Sequence, residues 1–436
     1  MLIEFEVGNF LSFKDPVRLS MVAANPIKEY LEDNTCEAGK MRLLKSAVIY
    51  GANASGKSNL INAIGTMRLF VLNSSKDMQA SQEIGVKPFK FDAKKEKEAS
   101  HFEIFFLLND SRYRYGFEAD RKIIQKEWLF CTEKQKESTL FLREGENIDV
   151  REGFKEGGGL EEKTRSNALF LSVVAQFNGA ISVSIVKWFS EVWPIHGLFD
   201  SEWGEYTKIL LQNASMHKKI IDLITFADVG IMEINLNENV FPIIPAGTTI
   251  SPTALAGGPM SSRLQTSSLL STRHKRFNQG IEDGYVNLDF ATEESEGTKK
   301  LFSIVGPILR ALNNGNLVYI DELDAKLHPL LTRAIVRMFN SRESNPKNAQ
   351  LVFATHDTNL LQDRLRRDQI WFTEKNNLGA TDLYSLAEFK SPEGKKVRSD
   401  DSFERSYIKG KYGAIPYLGN FEELFKSEEE ANGSAS

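Results

Sequence analysis

The sequence contains only two cysteines, Cys36 and Cys131, which stand far apart in a chain of 436 residues. Two distant cysteines supply neither the paired spacings of a disulfide framework nor the clustered ligands of a zinc site. We therefore expect a protein of a reducing, cytoplasmic compartment, in which thiols stay free.

Long apolar runs are also missing. The most apolar stretch, at residues 168–175, is far shorter than the roughly 20 residues of a membrane-spanning helix, so no membrane partner is expected. The first seven residues alternate apolar and acidic side chains, which predicts a strand and does not match a secretory signal. No segment repeats and no heptad pattern runs through the middle of the chain, which argues against a long coiled-coil arm.

Neither sign of charge dominates, because 54 lysines and arginines face 59 aspartates and glutamates, a net charge of −5. Any nucleic-acid surface must then be a local basic patch on an acidic body. Two runs are candidates, Arg273-His274-Lys275-Arg276 and the group of Arg364, Arg366 and Arg367. Such runs are usually solvated surface, so the sequence leaves binding of nucleic acid open.

A phosphate-binding signature stands at residues 51–58, Gly-Ala-Asn-Ala-Ser-Gly-Lys-Ser, which fits G-x-x-x-x-G-K-S. An apolar strand precedes it at 47–50, and a helical pattern of apolar residues follows. In this context backbone N–H groups and the positive end of the helix dipole face phosphate oxygens. Lys57 would reach the β- and γ-phosphates, and the Ser58 hydroxyl would ligate Mg²⁺. The alternative, a glycine-rich turn without a ligand, does not explain the flanking strand and helix.

Two later apolar strands end in polar residues, as strands do at the ligand-binding edge of a parallel sheet. The first ends in Asp321-Glu322, where Asp321 would hold Mg²⁺ and Glu322 would deprotonate the attacking water. The second ends in Thr355-His356-Asp357, which would bring His356 to a γ-phosphate. Either strand alone could be structural, but together with the P-loop they predict a site for ATP and Mg²⁺.

The patterns predict an α/β chain whose first part spans residues 1–150. It holds a hairpin of Leu2 to Phe10 and Val17 to Met21, then the P-loop unit. An antiparallel β meander is predicted over 86–145, with a turn at Asn109-Asp110. Residues 25–45 are expected to be irregular.

Three further parts are predicted. Residues 151–284 form a mostly helical insertion, helical from about 164 to 226 with a flexible Gly/Pro/Ser-rich loop at 237–272. Residues 285–426 hold a strand near 285–290, a helix over about 298–312 and a βαβ-like part. The tail, 427–436, is expected to be disordered.

The order and spacing of these motifs resemble ABC-type ATPases of the RecF/SMC-like branch. The matches are residues 51–58 as Walker A, Asp321-Glu322 as Walker B, Asp324 as the D-loop and His356 as the switch histidine. The resemblance implies an ABC-type ATPase head with a mixed sheet, an antiparallel β meander and a helical insertion. The branch also carries an Asn-Phe-x-Ser-Phe motif, here at residues 9–13, with Leu11 where arginine is common.

Residues 294–301 lie where the family has its signature loop. They carry Ser295-Glu296-Gly297-Thr298 in place of the family's usual Leu-Ser-Gly-Gly-Gln. This loop and Asp-Glu-Leu-Asp-x-x-Leu-His-Pro at 321–329 resemble bacterial ATPases of the AAA15 group. That group includes RloA-like and AbiL-like abortive-infection proteins and, more distantly, the ATPase of Septu anti-phage systems. The stretch 407–416 resembles the group's C-terminal motif, and His328-Pro329 is expected to cap a helix.

The resemblance also implies the contacts of the nucleotide. Catalysis would rest on Glu322, Lys57 and His356, and the metal would be held by Ser58 and Asp321. The cofactor-binding residues would be Gly51, Asn53, Ser55, Gly56, Lys57, Ser58, Asn59, Ser295, Gly297 and Asp324.

In such a family two copies form a head-to-tail homodimer, or a higher oligomer built of dimers. Ser295 and Gly297 of one copy would then cover the ATP in the other, and Asp324 would lie at the dimer contact. ATP would favour the closed dimer and hydrolysis would release it.

The implied function is the switch subunit of a bacterial anti-phage, abortive-infection system. It would control a separate effector, a nuclease or toxin, because the sequence carries no nuclease constellation of its own. The alternatives are a RecF/SMC-like ATPase of DNA repair or maintenance, a transporter subunit, and a scaffold that binds ATP without hydrolysis.

Overall fold

In the residues that it describes, the computed structural model contains four β-sheets and a set of helices that pack against them. The described residues are 1–77, 79, 82–133, 136–196, 201–227, 230–236, 270–390, 394, 396–398 and 401–416. The strands are β1 (Leu2–Gly8), β2 (Val17–Ser20), β3 (Thr35–Ala38), β4 (Met41–Leu44), β5 (Ser46–Tyr50), β6 (Ser100–Leu108), β7 (Ser111–Ala119), β8 (Ile124–Glu133), β9 (Lys136–Glu144), β10 (Asn147–Val150), β11 (Trp193–His196), β12 (Ile231–Leu236), β13 (Leu270–Asn278), β14 (Ile281–Asp289), β15 (Leu317–Asp321), β16 (Gln350–Ala354), β17 (Ile370–Lys375) and β18 (Thr381–Ser385). The α-helices are α1 (Leu31–Asn34), α2 (Lys57–Asn73), α3 (Phe170–Gln176), α4 (Ala180–Ser190), α5 (Ser201–Leu211), α6 (Ala214–Phe226), α7 (Glu296–Asn314), α8 (Pro329–Asn340) and α9 (Phe403–Ile408).

The predicted hairpin and meander form one antiparallel sheet in the order β10-β9-β8-β7-β6-β1-β2. The turn between β6 and β7 lies at Asn109-Asp110, and both residues take the left-handed conformation that suits a tight hairpin. The meander begins at Ser100 and not at residue 86. The reason is local: Asp92 Oδ1 accepts hydrogen bonds from the backbone N–H groups of Lys94 and Lys95, which start a polar turn in place of a strand.

A mixed sheet lies at the centre, in the order β11-β15-β16-β5-β17-β18. Its strands pair in parallel, except that β18 pairs antiparallel to β17. Side chains alternate along β5: Ala47 and Ile49 enter one core, and Val48 and Tyr50 enter the other. The first core contains α2 and the inner face of the antiparallel sheet, and the second contains α7 and α8. The central sheet is therefore buried on both faces, and the α/β fold with a mixed sheet and a meander is confirmed.

Two local predictions were wrong. Trp193 falls in the range of about 164–226 that was expected to be helical, but it lies in β11, which extends the central sheet beside β15. Pro194 follows it, and a residue before proline is disfavoured in the helical conformation. Residues 25–45 were expected to be irregular, but they contain α1 and the hairpin β3–β4, whose Cys36, Ala38 and Leu43 pack against Ile3.

The insertion also contains strands β12, β13 and β14, which form a separate antiparallel sheet. The predicted flexible loop lies outside the described residues at 237–269, and its last three positions open β13. The predicted disordered tail also lies outside them.

No single described helix is long and apolar enough to cross a membrane. The pair α3 and α4, bent by 108° at the break between them, is together long and apolar enough, by length and composition alone.

The outer face of the antiparallel sheet carries an ion-pair network around His101. Its Nε2 lies 3.2 Å from Glu6 Oε1 and its Nδ1 3.6 Å from Glu118 Oε1. Burial disfavours the protonated ring and by itself lowers the pKa of His101. The contacts with Glu118 and Glu6 outweigh this effect and raise the pKa to about 9. The contact with His101 is the main cause that lowers the pKa of Glu6 and of Glu118 to about 2. Arg18 Nη2, 2.7 Å from Glu6, completes the network.

This network predicts the pH dependence of folding. The contribution of His101 is complete below its ordinary pKa of 6.5 and is lost as the pH rises through about 9. The contributions of Glu6 and Glu118 are complete above 4.5 and are lost as the pH falls towards about 2. His101→Gln should flatten the alkaline decline in the free energy of unfolding between these pH values and make the acid decline shallower. Urea unfolding at a series of pH values checks this, and an unchanged alkaline slope would contradict it.

Candidate functional site

Three strands of the central sheet end side by side at one edge. β16 pairs in parallel with β5 on one side and with β15 on the other. The loop after β5 carries residues 51–58, the end of β16 is followed by Thr355 and His356, and β15 ends at Asp321. The predicted motifs therefore leave the sheet at the same edge, as expected for a ligand site of a parallel sheet.

The backbone of the loop fits the predicted strand–loop–helix unit. Gly56 has a φ of 115° and immediately precedes α2 at Lys57, and Ala54 also has a positive φ, 61°. A Cβ on Gly51 would lie 2.5 Å from Thr373 Oγ1, and one on Gly56 would lie 2.6 Å from Thr381 Oγ1. Glycine is required at both positions because there is no room behind the loop.

Lys57 is buried and points back over the loop. Its Nζ donates hydrogen bonds to the carbonyl oxygens of Gly51, at 2.9 Å, and Ala52, at 3.0 Å. Burial lowers the pKa of Lys57, while the carboxylates at residues 321, 322 and 324 act in the opposite direction. The ammonium group thus shares an electrostatic site with the end of β15, and phosphate binding by Lys57 stays a prediction.

Asp321 fits the predicted role of metal ligand. The residue is 7% exposed, and its Oδ1 is buried with no hydrogen-bond partner among the residues that the structure describes. A buried carboxylate oxygen without a donor is costly unless a cation meets it, and carboxylate oxygens are ligands that Mg²⁺ prefers. Ser58, half-buried at the second position of α2, is the other predicted ligand.

Glu322 and Asp324 lie in the turn after β15. Glu322 is half-buried and takes a left-handed conformation, φ 50°, which is unusual for glutamate and turns the chain sharply at the sheet edge. Asp324 accepts hydrogen bonds from Thr355 Oγ1, at 2.7 Å, and from the backbone N–H of His356, at 3.2 Å. Asp324 therefore fixes the Walker B turn to the end of β16. Its contact with a second copy stays a prediction.

His356 is exposed at this edge. Partial burial and the nearby Lys57 ammonium lower the pKa of His356, although Asp324, Glu322 and Asp321 oppose the shift. The shift favours the neutral ring, and in that form one of its nitrogens can donate a hydrogen bond to a phosphate oxygen.

The signature loop forms the start of α7. Ser295 caps the helix, because its Oγ accepts a hydrogen bond from Thr298 N at 3.1 Å. A Cβ on Gly297 would lie 3.0 Å from the carbonyl oxygen of Lys326, whose Nζ is 2.8 Å from Glu296. The loop thus packs on the turn that follows β15. No hydrogen bond found in the described chain joins residues 294–298 to the P-loop.

The hydroxyl groups of Thr373 and Thr381, which lie behind the loop, were missed by the sequence prediction. Ser55 Oγ lies 2.6 Å from Thr373 Oγ1, and Thr381 Oγ1 donates to Ser55 O at 2.8 Å. Ser12, from the Asn-Phe-x-Ser-Phe motif, accepts a hydrogen bond from Asn59 Nδ2 at 2.7 Å. In the sequence, the two threonines are recognisable only as a polar residue in each of two strands, and no motif marks them as part of the site. Asn53 is exposed and has no described side-chain bond.

The C-terminal motif at 407–416 lies against the P-loop strand. The Tyr407 ring packs 5.6 Å from Tyr50 and 5.3 Å from Phe372, measured between ring centroids. Gly413 has a φ of 69°, and a Cβ there would lie 2.7 Å from Glu374 Oε2. The motif therefore supports the site from the side of β17 and β18.

The two basic runs are largely neutralised. Arg366 is fully buried and pairs with Asp368 at 2.7 Å, so the second run is not a continuous surface patch. The other pairs of the two runs are Arg273–Glu233, His274–Glu294, Lys275–Glu282, Arg276–Asp283 and Arg367–Glu29.

The predicted capping role of His328 is confirmed, because its Nδ1 accepts a hydrogen bond from Leu330 N.

The crowded, left-handed position of Gly56 predicts a specific effect of an added methyl group. In Gly56→Ala the left-handed backbone alone should cost about 1–2 kcal/mol, and the clash with Thr381 should displace the loop. We expect at least about tenfold weaker ATP binding, measured by calorimetric titration. Gly145→Ala is the matched control, because Gly145 also has a positive φ but open space around its Cβ position. Equal ATP affinity of the two variants would contradict the account.

No curated protein matches the sequence. Among solved structures, the SMC head domain from Thermotoga maritima aligns over 88% of this chain and 98% of that chain, with 14% identity and a TM-score of 0.40. The family model described as "AAA domain, putative AbiEii toxin, Type IV TA system" matches residues 46–362, which includes the P-loop, the end of β15 and His356. Since this match covers well over half of the sequence, the chain belongs to that AAA family.

Proposed function

We propose that the chain is the ATP-binding and ATP-hydrolysing switch subunit of a bacterial anti-phage, abortive-infection system. It would act as a head-to-tail dimer with ATP between the copies and would control a separate effector, a nuclease or toxin. The observation that carries ATP binding is the convergence at one sheet edge of buried Lys57, the P-loop glycines and Asp321 Oδ1, which has no hydrogen-bond donor among the described residues.

Binding of the phosphates follows from the loop and Lys57. The loop N–H groups and the start of α2 would meet the phosphate oxygens, and the Lys57 ammonium, which bonds the carbonyls of Gly51 and Ala52, would be released from them to neutralise the phosphate charge. Ser58 and Asp321 would hold Mg²⁺, which supplies further positive charge to the β- and γ-phosphates.

Hydrolysis would depend on two residues beside the phosphates. Glu322, turned sharply at the end of β15, would accept a proton from the attacking water. His356, which is exposed at the end of β16, would donate a hydrogen bond to a γ-phosphate oxygen.

The dimer is supported by the position of the signature loop. Ser295 is exposed at the N-terminus of α7, where the helix dipole favours an anion, and its described hydrogen bonds stay within that helix. A second copy related by a twofold axis would bring this helix end to the P-loop of the first copy, which gives two equivalent sites.

The defence role is supported by the family to which the chain belongs, whose description names a putative toxin of a type IV toxin–antitoxin system. A sandwich dimer that closes with ATP and opens on hydrolysis is a two-state element of the kind that can restrain or release an effector.

The first test separates hydrolysis from binding. Glu322→Gln keeps the shape of the side chain but removes the base, so ATP turnover should fall about 100-fold or more while ATP binding persists. Phosphate release and calorimetric titration measure the two properties. Glu152→Gln, at a side chain that is 93% exposed, is the control and should match the wild type. Unchanged turnover of Glu322→Gln would exclude Glu322 as the base.

The second test asks whether two copies build one site. Lys57→Ala removes the P-loop cation, and Ser295→Arg blocks the signature loop, so each variant alone should be inactive. A mixed dimer still combines the intact P-loop of one copy with the intact signature loop of the other. An equimolar mixture should therefore regain about a quarter of wild-type turnover, because half of the dimers are mixed and each has one complete site. No recovery on mixing would contradict the composite site.

A further inference from the structure

We propose that Thr373 and Thr381, on the β17–β18 hairpin, are positioning residues that fix the direction of the phosphate-binding loop. This inference rests on the proposed ATP binding at residues 51–58. It concerns two residues outside the P-loop, Walker B and signature motifs.

Thr373 supports the beginning of the loop. Its Oγ1 lies 2.6 Å from Ser55 Oγ and donates to Tyr50 O at 3.3 Å, so it joins the end of β5 to the middle of the loop. The Cβ position of Gly51 lies 2.5 Å from both the Oγ1 and the carbonyl oxygen of Thr373. The loop therefore leaves β5 in close contact with this residue.

Thr381 supports the end of the loop. Its Oγ1 donates to the carbonyl oxygen of Ser55 at 2.8 Å, and it lies 2.8 Å from Ser12 Oγ. Ser12 Oγ also accepts a hydrogen bond from Nδ2 of Asn59, which lies in the first turn of α2. One hydroxyl cluster thus joins the loop, the helix that follows it and the N-terminal motif.

The bond to Ser55 O determines where the next amide points. In a trans peptide the C=O and the N–H point in opposite directions. Because the Ser55 carbonyl points towards Thr381, the N–H of Gly56 points away from it, to the opposite side of the loop. This N–H is one of the donors that a P-loop offers to phosphate oxygens.

Water cannot replace these hydrogen bonds. Thr373 and Thr381 are 0% and 2% exposed, and Ser12 and Ser55 are 5% and 3% exposed. Removing one hydroxyl therefore leaves the Ser55 carbonyl or hydroxyl without a partner.

The hairpin can hold the threonines accurately because they lie within a sheet. β17 pairs with β5 and β18 pairs with β17, with Thr373 opposite Leu383 and Lys375 opposite Thr381. This register places both threonines on the same face of the hairpin. A site fixed by strands is more precise than one fixed by loops.

The test compares Thr381→Val, Thr373→Val and Thr381→Ser in the full chain by steady-state ATP hydrolysis. Valine keeps the branched shape and removes the hydroxyl, so each valine variant should raise the KM for ATP about 2- to 10-fold with little change in kcat. Thr381→Ser retains the hydroxyl and should restore the wild-type KM. Thr332→Val is the control and should leave KM unchanged, because Thr332 is buried in α8 and its hydroxyl has no hydrogen-bond partner in the part of the chain that the structure describes.

A merely structural role predicts a different result. It would lower the free energy of unfolding of the valine variants and leave the KM of the folded protein unchanged, which would overturn the proposal. If Thr381→Val does not fold, Thr373→Val and Ser12→Ala decide the question by the same readout. A wild-type chain that binds no ATP would refute the proposed function itself, whereas wild-type binding with an unchanged KM in the valine variants would refute only this inference.

Discussion

The parallel pairing of β16 with β5 and with β15 is the constraint on which the site depends. It brings together the ends of three strands that lie far apart in the sequence, at residues 50, 321 and 354. The chain must leave the sheet at this edge in three different ways. It forms the glycine loop after β5, the sharp turn at Glu322 after β15 and the short segment with His356 after β16. A shift in the register of β16 would separate Lys57 from its carboxylate neighbours.

Electrostatics at this edge follow from the same arrangement. Lys57 is desolvated, which lowers its pKa, and the carboxylates after β15 offset only part of this effect. The Asp324 carboxylate is already bonded to Thr355 and His356, whereas Asp321 Oδ1 has no donor in the described chain. The two aspartates therefore have different roles. Asp324 joins the turn after β15 to the end of β16, and Asp321 remains available for a cation.

The sequence was sufficient for the parts of the site that are encoded locally. The P-loop could be predicted because its glycines, Lys57 and the flanking strand and helix are adjacent in the sequence. The end of β15 was recognisable because an apolar run stops at two carboxylates. Thr373 and Thr381 could not be predicted, since their role arises only when β17 pairs with β5. The strand at Trp193 was missed for a similar reason, because its pairing with β15 outweighs the neighbouring helical pattern.

The most direct test of the central claim is an experimental structure of the Glu322→Gln chain with ATP and Mg²⁺. The account predicts a twofold dimer in which each ATP lies between Lys57 of one copy and the Ser295–Gly297 loop of the other, with Mg²⁺ at Ser58 and Asp321. An ATP bound at the P-loop of a single copy, with the signature loops of both copies facing solvent, would contradict it.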